Sequence, residues 1–308
     1  MKNKITTQKK GMTIVELMVA LTIMMIVTSA IYSIVLSQRK AYIKQESITE
    51  TQEIGKIILT IIKRDLMMAG YGVDKKLALY IKDGGDNGPD ELYINDWSFI
   101  DENELLAGVY GETKIIHNSG KSILVEKLNL DDCAQCSDNT YGDSNDPNEF
   151  ESQYVISDTD DPEKKVAKIK NVNRDTNTLT LQEEISGSYV APAIYYGIVE
   201  ENLKKSTRNT GGRQPLAQNV VDLQIAYQDK EGNWYCHERG SSPMTPFDPS
   251  KIRLIRVSIV IRTKAKTDFN KTTGRPALEN REEGEPDNYS YRIYTTTFVP
   301  RNLFYGDI

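Results

Sequence analysis

The first part of the chain combines one apolar run with one mixed run, and both are helical in character. Four lysines occur within the first ten residues, and an apolar run then extends from Met12 to Leu36. As an α-helix these 25 residues measure about 37 Å, which is enough to cross a bilayer with some tilt. No proline precedes Pro89, and polar residues are frequent as far as Met68. The pattern predicts one helix over residues 12–68, roughly 80 Å long.

The second half of this predicted helix is amphipathic. We expect its apolar stripe to pack on a globular domain, while the first half lies in a membrane. The helix should end at Gly70, because glycine readily adopts the left-handed conformation that is common at helix C-termini. The stripe consists of Ile54, Ile57, Ile58, Ile61, Ile62 and Leu66.

From Val73 onward, short apolar runs alternate with turn signals, which is typical of β-strands. Helical patterns of ten or more residues do not separate these runs, so a parallel α/β fold is disfavoured. We predict an α+β fold in which the long helix packs on a mainly antiparallel β-sheet head; length leaves open whether the head has one lobe or two. The predicted strands are Leu77–Ile81, Glu91–Ile94, Ile123–Val125, Tyr154–Ile156, Thr178–Leu181, Ala193–Val199, Ile252–Arg262 and Tyr289–Val299.

Two features distinguish the apolar run from a simple anchor or a secretory signal peptide. The basic, acid-free segment before it places the N-terminus in the cytoplasm by the positive-inside rule. Glu16 is the fifth residue of the run, and an isolated carboxylate in hydrocarbon is costly, which indicates a functional site. A signal peptide would have a shorter apolar core followed by a small-residue cleavage site.

Residues 9–17 read KKGMTIVEL, and with the apolar run they resemble the class III leader of type IV pilins and type II secretion pseudopilins. The resemblance implies that residues 1–11 are a leader, which a prepilin peptidase removes by cutting between Gly11 and Met12. It also implies N-methylation of Met12 and a role of Glu16 in assembly. The family usually has phenylalanine where this chain has Met12, and methionine fills a similar apolar space.

Further segments resemble PilW-type minor pilins. They are residues 64–72 (RDLMMAGYG), 255–263 and 294–303; residues 218–227 resemble both this type and J-type minor pseudopilins. The resemblance implies a transmembrane half of the helix (12–36), an amphipathic half (37–72) and a β-rich head (73–308).

The assembly role of Glu16 has a physical basis. Cleavage leaves an α-amino group on Met12, one helical turn from the carboxylate, and both charges are costly in a membrane unless they are paired. A growing filament can offer the incoming Glu16 the amine of a neighbouring subunit. The alternative is that Glu16 only snorkels towards the cytoplasmic headgroups.

The three cysteines are expected to lie in an oxidising compartment, which favours a structural disulfide. Cys133 and Cys136 form a CxxC pair, and Cys236 follows a hundred residues later. The sequence leaves open whether the first two pair with each other or one of them pairs with Cys236. A zinc site completed by His237 is the weaker alternative, because adjacent ligands are unusual spacing. A redox-active pair is disfavoured by its acidic neighbours.

The sequence gives little support for catalysis, for metal or cofactor binding, or for nucleic-acid binding. The chain contains two histidines and no GxSxG, HExxH or Walker-type motif, so we predict a non-enzyme without cofactor or metal. The acidic segments at residues 83–90 and 138–151 do not have EF-hand ligand spacing and are interpreted as solvated loops. Lysine and arginine number 38 against 44 acidic residues, which argues against nonspecific nucleic-acid binding.

We therefore interpret the chain as a minor pilin that helps to initiate type IV pilus assembly, at or near the filament tip. Its expected partners are the prepilin peptidase, other minor pilins, the major pilin, the inner-membrane assembly platform and membrane lipid. We expect it first in the inner membrane with a periplasmic head, and then in the surface pilus. The alternatives are a J-type minor pseudopilin of a type II secretion system and a signal-anchored periplasmic CxxC redox or binding protein.

Overall fold

The computed structural model describes residues 13–98, 111–128, 150, 154–206, 214–263 and 273–304. The chain divides into two compact units, Met1–Glu50 and Thr51–Ile308. One helix, α1 (Ile14–Met68), contributes 55 residues to the two units and confirms the predicted long N-terminal helix. The described part of the first unit consists of this helix and the preceding Thr13, and its side chains are exposed as far as Glu46.

The second unit is built mainly from strands. Its described residues contain sixteen of them, together with the short helices α2 (Lys75–Ala78) and α3 (Arg301–Phe304). The first eight strands are β1 (Leu79–Lys82), β2 (Glu91–Asn95), β3 (Thr113–Asn118), β4 (Ser122–Val125), β5 (Tyr154–Ser157), β6 (Val166–Asn173), β7 (Thr178–Leu181) and β8 (Tyr189–Val199). The others are β9 (Asn202–Ser206), β10 (Gln214–Gln218), β11 (Val220–Asp229), β12 (Trp234–Tyr235), β13 (Ile252–Arg262), β14 (Thr273–Gly274), β15 (Pro286–Asp287) and β16 (Tyr291–Phe298).

Within the described residues these strands form sheets of ten, four and two strands, and all pairings are antiparallel. The long strand β8 organises the largest sheet. Its first half pairs with β3 on one side and β5 on the other, which closes a six-stranded barrel in the order β8-β3-β4-β7-β6-β5. Its second half pairs with β2 and β9. The four-stranded sheet has the order β12-β11-β13-β16.

The second unit has two hydrophobic cores, one between the end of α1 and the sheets and one inside the barrel. The larger core joins the end of α1 to the four-stranded sheet and to β1, β2 and β8 of the large sheet. Ile58, Ile62 and Leu66 enter it from α1 at successive turns, and each is at most 1% exposed. The smaller core fills the barrel, with side chains that include Ile123, Val125, Val155, Leu179, Leu181 and Val190.

A close approach between α1 and the four-stranded sheet depends on Gly55. The ring of Tyr294 on β16 lies where a side chain at this position would begin, and a Cβ built there would be 2.6–2.9 Å from three ring atoms. Glycine usually weakens a helix interior. Here it lets the helix and the sheet pack directly.

The α+β class and the antiparallel head are confirmed, and two local predictions are wrong. Ile57 was assigned to the buried stripe but is 59% exposed, because the helix turns that position away from the sheets. The predicted strand Leu77–Ile81 begins only at Leu79. The preceding residues form α2, whose start is capped by Asp74, which accepts a hydrogen bond from the Lys76 N–H at 2.8 Å.

Candidate functional site

The first turn of α1 is capped by two side chains, and each accepts a hydrogen bond from the backbone N–H of the other residue. The N–H of Thr13 donates to Oε2 of Glu16 at 2.9 Å, and the N–H of Glu16 donates to Oγ1 of Thr13 at 3.3 Å. This capping box satisfies backbone donors that a helix start otherwise leaves unpaired. A carboxylate at this end also complements the helix dipole. Sequence reasoning missed Thr13, although the Thr-x-x-Glu spacing is the signature of such a cap.

Glu16 therefore has a defined position at the start of an apolar helix. Every residue from Thr13 to Leu36 is exposed. The helix is long and apolar enough to cross a membrane, and none of its most apolar window is buried. Gly11 and Met12 lie outside the described residues, so the predicted cleavage and methylation stay predictions.

The other end of α1 is held by a buried ion pair. Asp65 is fully buried, and its Oδ2 accepts hydrogen bonds from Lys205 Nζ at 2.6 Å and Tyr196 Oη at 2.5 Å. Its Oδ1 accepts from Arg64 Nε at 3.2 Å. Burial, reinforced by the Asp65 charge, raises the pKa of Tyr196, so the phenol stays protonated and donates. These contacts tie the helix to β8 and β9.

The backbone at this helix end is capped by asparagines from distant segments. The N–H of Gly70 donates to Oδ1 of Asn95 at 2.9 Å, and Nδ2 of the same residue donates to the Tyr71 carbonyl at 3.2 Å. Asn302 donates to the Met68 carbonyl at 3.3 Å. Gly70 has φ +84, the left-handed conformation that the sequence predicted for the end of the helix. The RDLMMAGYG segment is thus the junction between α1 and the sheets.

Of the three cysteines, the structure describes Cys236. Cys236 is buried with a free thiol, and burial raises its pKa. Cys133 and Cys136 lie outside the described residues, so their disulfide stays a prediction. The part of the chain that is described contains no group of three or more His, Cys, Asp or Glu side chains that could hold a metal ion.

The acidic segment at residues 83–90 differs from the predicted solvated loop, because part of it is buried and makes structural contacts. Asp90 is buried, and its two oxygens accept hydrogen bonds from the N–H groups of Gly84 at 2.9 Å and Ile225 at 2.7 Å. Burial, and then the charges of Asp83 and Asp222, raise the pKa of Asp90 well above its ordinary value. This carboxyl group joins the segment to β11.

Comparisons with known proteins point to the N-terminal segment. Residues 6–32 match the family model of the prokaryotic N-terminal methylation motif. No curated protein sequence matches the chain significantly. Among solved structures, a type IV-like pilin from Thermus thermophilus is similar, with 11% identity and a TM-score of 0.38 over 82% of this chain and 97% of that one.

Proposed function

We propose that this type IV pilin-like chain is a PilW-type minor pilin, a non-catalytic subunit that helps to initiate pilus assembly at or near the filament tip. The observation that carries the proposal is the methylation motif at residues 6–32, which coincides with the capped start of a long, exposed apolar helix. The apolar part anchors the precursor in the inner membrane, and the β-rich unit lies in the periplasm.

Glu16 supplies the assembly contact in this proposal. Cleavage after Gly11 creates an α-amino group on Met12, directly before the capping residue Thr13. The Glu16 carboxylate is already fixed at this helix start by its hydrogen bond from Thr13. A neighbouring subunit's amine that meets this carboxylate in the membrane converts two costly charges into a pair.

The capping box offers a second explanation for Glu16, in which its side chain only caps the helix. Two variants distinguish this explanation from a role of the charge in assembly. Glu16→Gln keeps a side chain suited to the capping box but removes the charge. Thr13→Val keeps the charge but removes the capping hydroxyl. If the charge recruits neighbouring subunits, Glu16→Gln should insert and be cleaved normally yet fail to join the pilus, whereas Thr13→Val should assemble.

The measurements are co-purification with the other minor pilins and the yield of surface pili, in strains that carry only the variant. Intact mass must first show that both variants are processed at Gly11. Assembly of Glu16→Gln at wild-type yield, together with failure of Thr13→Val, would assign Glu16 to capping alone.

The processing step has its own test. Gly11→Val should leave uncleaved precursor in the inner membrane, because the peptidase site must accept a residue without a side chain. Mature wild-type protein should begin at methylated Met12, and a start beyond Ala30 would contradict the pilin assignment. Loss of protein secretion with normal pili in a deletion strain would instead identify a pseudopilin.

A further inference from the structure

The four-stranded sheet ends in β16, a long strand with an open outer edge. Its eight residues all pair with β13, and no register shift interrupts the pairing. In the described part of the chain, no strand pairs with its other side. A strand at the edge of a sheet presents a row of unpaired backbone N–H and C=O groups, and these groups can pair with a further strand.

Two hydrogen bonds determine which residues of β16 point outward. The N–H of Thr263 donates to the Ser290 carbonyl at 2.8 Å, and this pair continues the register of β13 and β16. The N–H of the preceding Arg262 donates to the Asn219 carbonyl at 2.8 Å, on the side of β11. Because such bonds alternate between the two sides of a strand, the even-numbered residues of β16 bond to β13. The backbone groups of the odd-numbered residues point away from the sheet; these residues are Tyr291, Ile293, Thr295 and Thr297.

The other terminal strands of the two larger sheets are protected against strand addition. β1 has four residues, and β12 has two. β10 contains Pro215, and its register shifts between Pro215 and Ala217. Short strands, prolines and bulges are the usual means by which natural proteins protect an edge. β16 contains no proline and no bulge, so among the described terminal strands of these sheets it is the one that lacks such protection.

The side chains beside this edge are suited to a neighbouring strand. Tyr294 faces α1 at Gly55, so the odd-numbered side chains of β16 lie on the opposite face of the sheet. Ile293 is 45% exposed, and Thr295 and Thr297 are exposed as well. β-Branched side chains pack well against those of an adjacent strand. The edge therefore offers both backbone groups and side-chain contacts.

One charge indicates the chemistry of the added strand. Arg292 is the only charged residue of β16, and it is exposed. Within the described residues its guanidinium has no carboxylate partner. A carboxylate opposite this position would form a cross-strand ion pair, whereas a cation would be repelled. A second copy of β16 fits less well, because the strand contains no acidic residue.

We propose that the outer edge of β16 binds an extended acidic segment of another protein, which adds to the four-stranded sheet as a fifth strand. Its backbone pairs with the odd-numbered residues of β16, and its side chains pack on Ile293, Thr295 and Thr297. A carboxylate of the segment pairs with Arg292. The proposal goes beyond the assembly role and does not depend on it.

Fluorescence anisotropy with the full chain in detergent micelles tests the proposal. The probe is a labelled peptide of about ten residues that alternates valine and threonine around one central glutamate, and it should bind saturably. The same peptide with methylated backbone nitrogens keeps the side chains but loses the donors, so it should bind at least about tenfold more weakly. A lysine in place of the glutamate should weaken binding about threefold.

A pair of variants tests the edge from the side of the protein. Thr297→Pro removes an outward N–H and breaks no bond to β13, and prolines are tolerated at such edge positions. It should raise the dissociation constant of the glutamate peptide about tenfold. The matched control is Thr297→Val, which keeps the N–H and a β-branched side chain and should change the constant less than about twofold. Thermal unfolding shows whether both variants fold, and the methylated peptide tests the edge without any change to the protein.

Four outcomes would overturn the proposal. They are failure of the glutamate peptide to bind, equal binding of the methylated peptide, an equal loss in both Thr297 variants, and dimerisation of the chain that Thr297→Pro abolishes. The last outcome, measured by sedimentation in micelles, would assign the edge to a second copy of this chain.

Discussion

The ion pair at the end of α1 permits a quantitative test of how the helix is held to the sheets. Asp65 is fully buried, whereas the side chain of its partner Lys205 is 19% exposed. Asp65→Ala removes the acceptor of both Lys205 and Tyr196 and leaves their donors without a buried partner. Breaking a buried pair in this way costs about 3–5 kcal/mol.

Two further variants make the assignment specific. Asp65→Asn keeps an acceptor for Tyr196 and loses only the charge, so it should cost about 1–3 kcal/mol. Lys204→Met is the matched control, because this lysine neighbours Lys205 on β9 and has no ion-pair partner among the described residues. Its expected effect is within about 0.5 kcal/mol.

Thermal unfolding of the full chain in detergent, followed by tryptophan fluorescence, measures these differences. Both tryptophans, Trp97 and Trp234, lie in the unit Thr51–Ile308, so the signal reports that unit. At about 2–4 °C per kcal/mol, Asp65→Ala should lower Tm by about 6–20 °C. A decrease no larger than that of Lys204→Met would refute the claim that this pair anchors the helix.

Three other predictions concern packing, thiol chemistry and pH. Gly55→Ala should destabilise the second unit by about 1–3 kcal/mol in denaturant titrations, because the new Cβ overlaps the Tyr294 ring, and the same change should be neutral or stabilising in Tyr294→Ala. Native Cys236 should resist alkylation at neutral pH, since it is buried and its thiol pKa is raised; rapid labelling of the folded chain would contradict this. Because the pKa of Asp90 is raised, the folded state retains a proton that the unfolded state releases, so stability should fall as pH rises above the ordinary value of 3.8 towards the raised pKa. Asp90→Asn should remove that slope in urea titrations between about pH 4 and 8, and an unchanged slope would assign it to another group.

The elements that repeat a local pattern could be predicted from the sequence. The apolar run and the isoleucine spacing define α1, and β-branched runs define strands such as β13, because each pattern is set by neighbours within a few residues. The predictions of leader cleavage at Gly11 and of an assembly role for Glu16 also come from a contiguous motif. The cap by Thr13 could have been predicted equally well, since Thr13 and Glu16 lie within one helical turn.

Only the tertiary structure decided which polar residues are buried and where the sheets close. Asp65 meets Lys205 across 140 positions, and no local pattern distinguishes it from the exposed Arg64 beside it. The barrel closes because β8 pairs with both β3 and β5, which are contacts between distant segments. Such contacts depend on the free energy of packing the whole unit, whereas sequence periodicity reports only the face that each element buries.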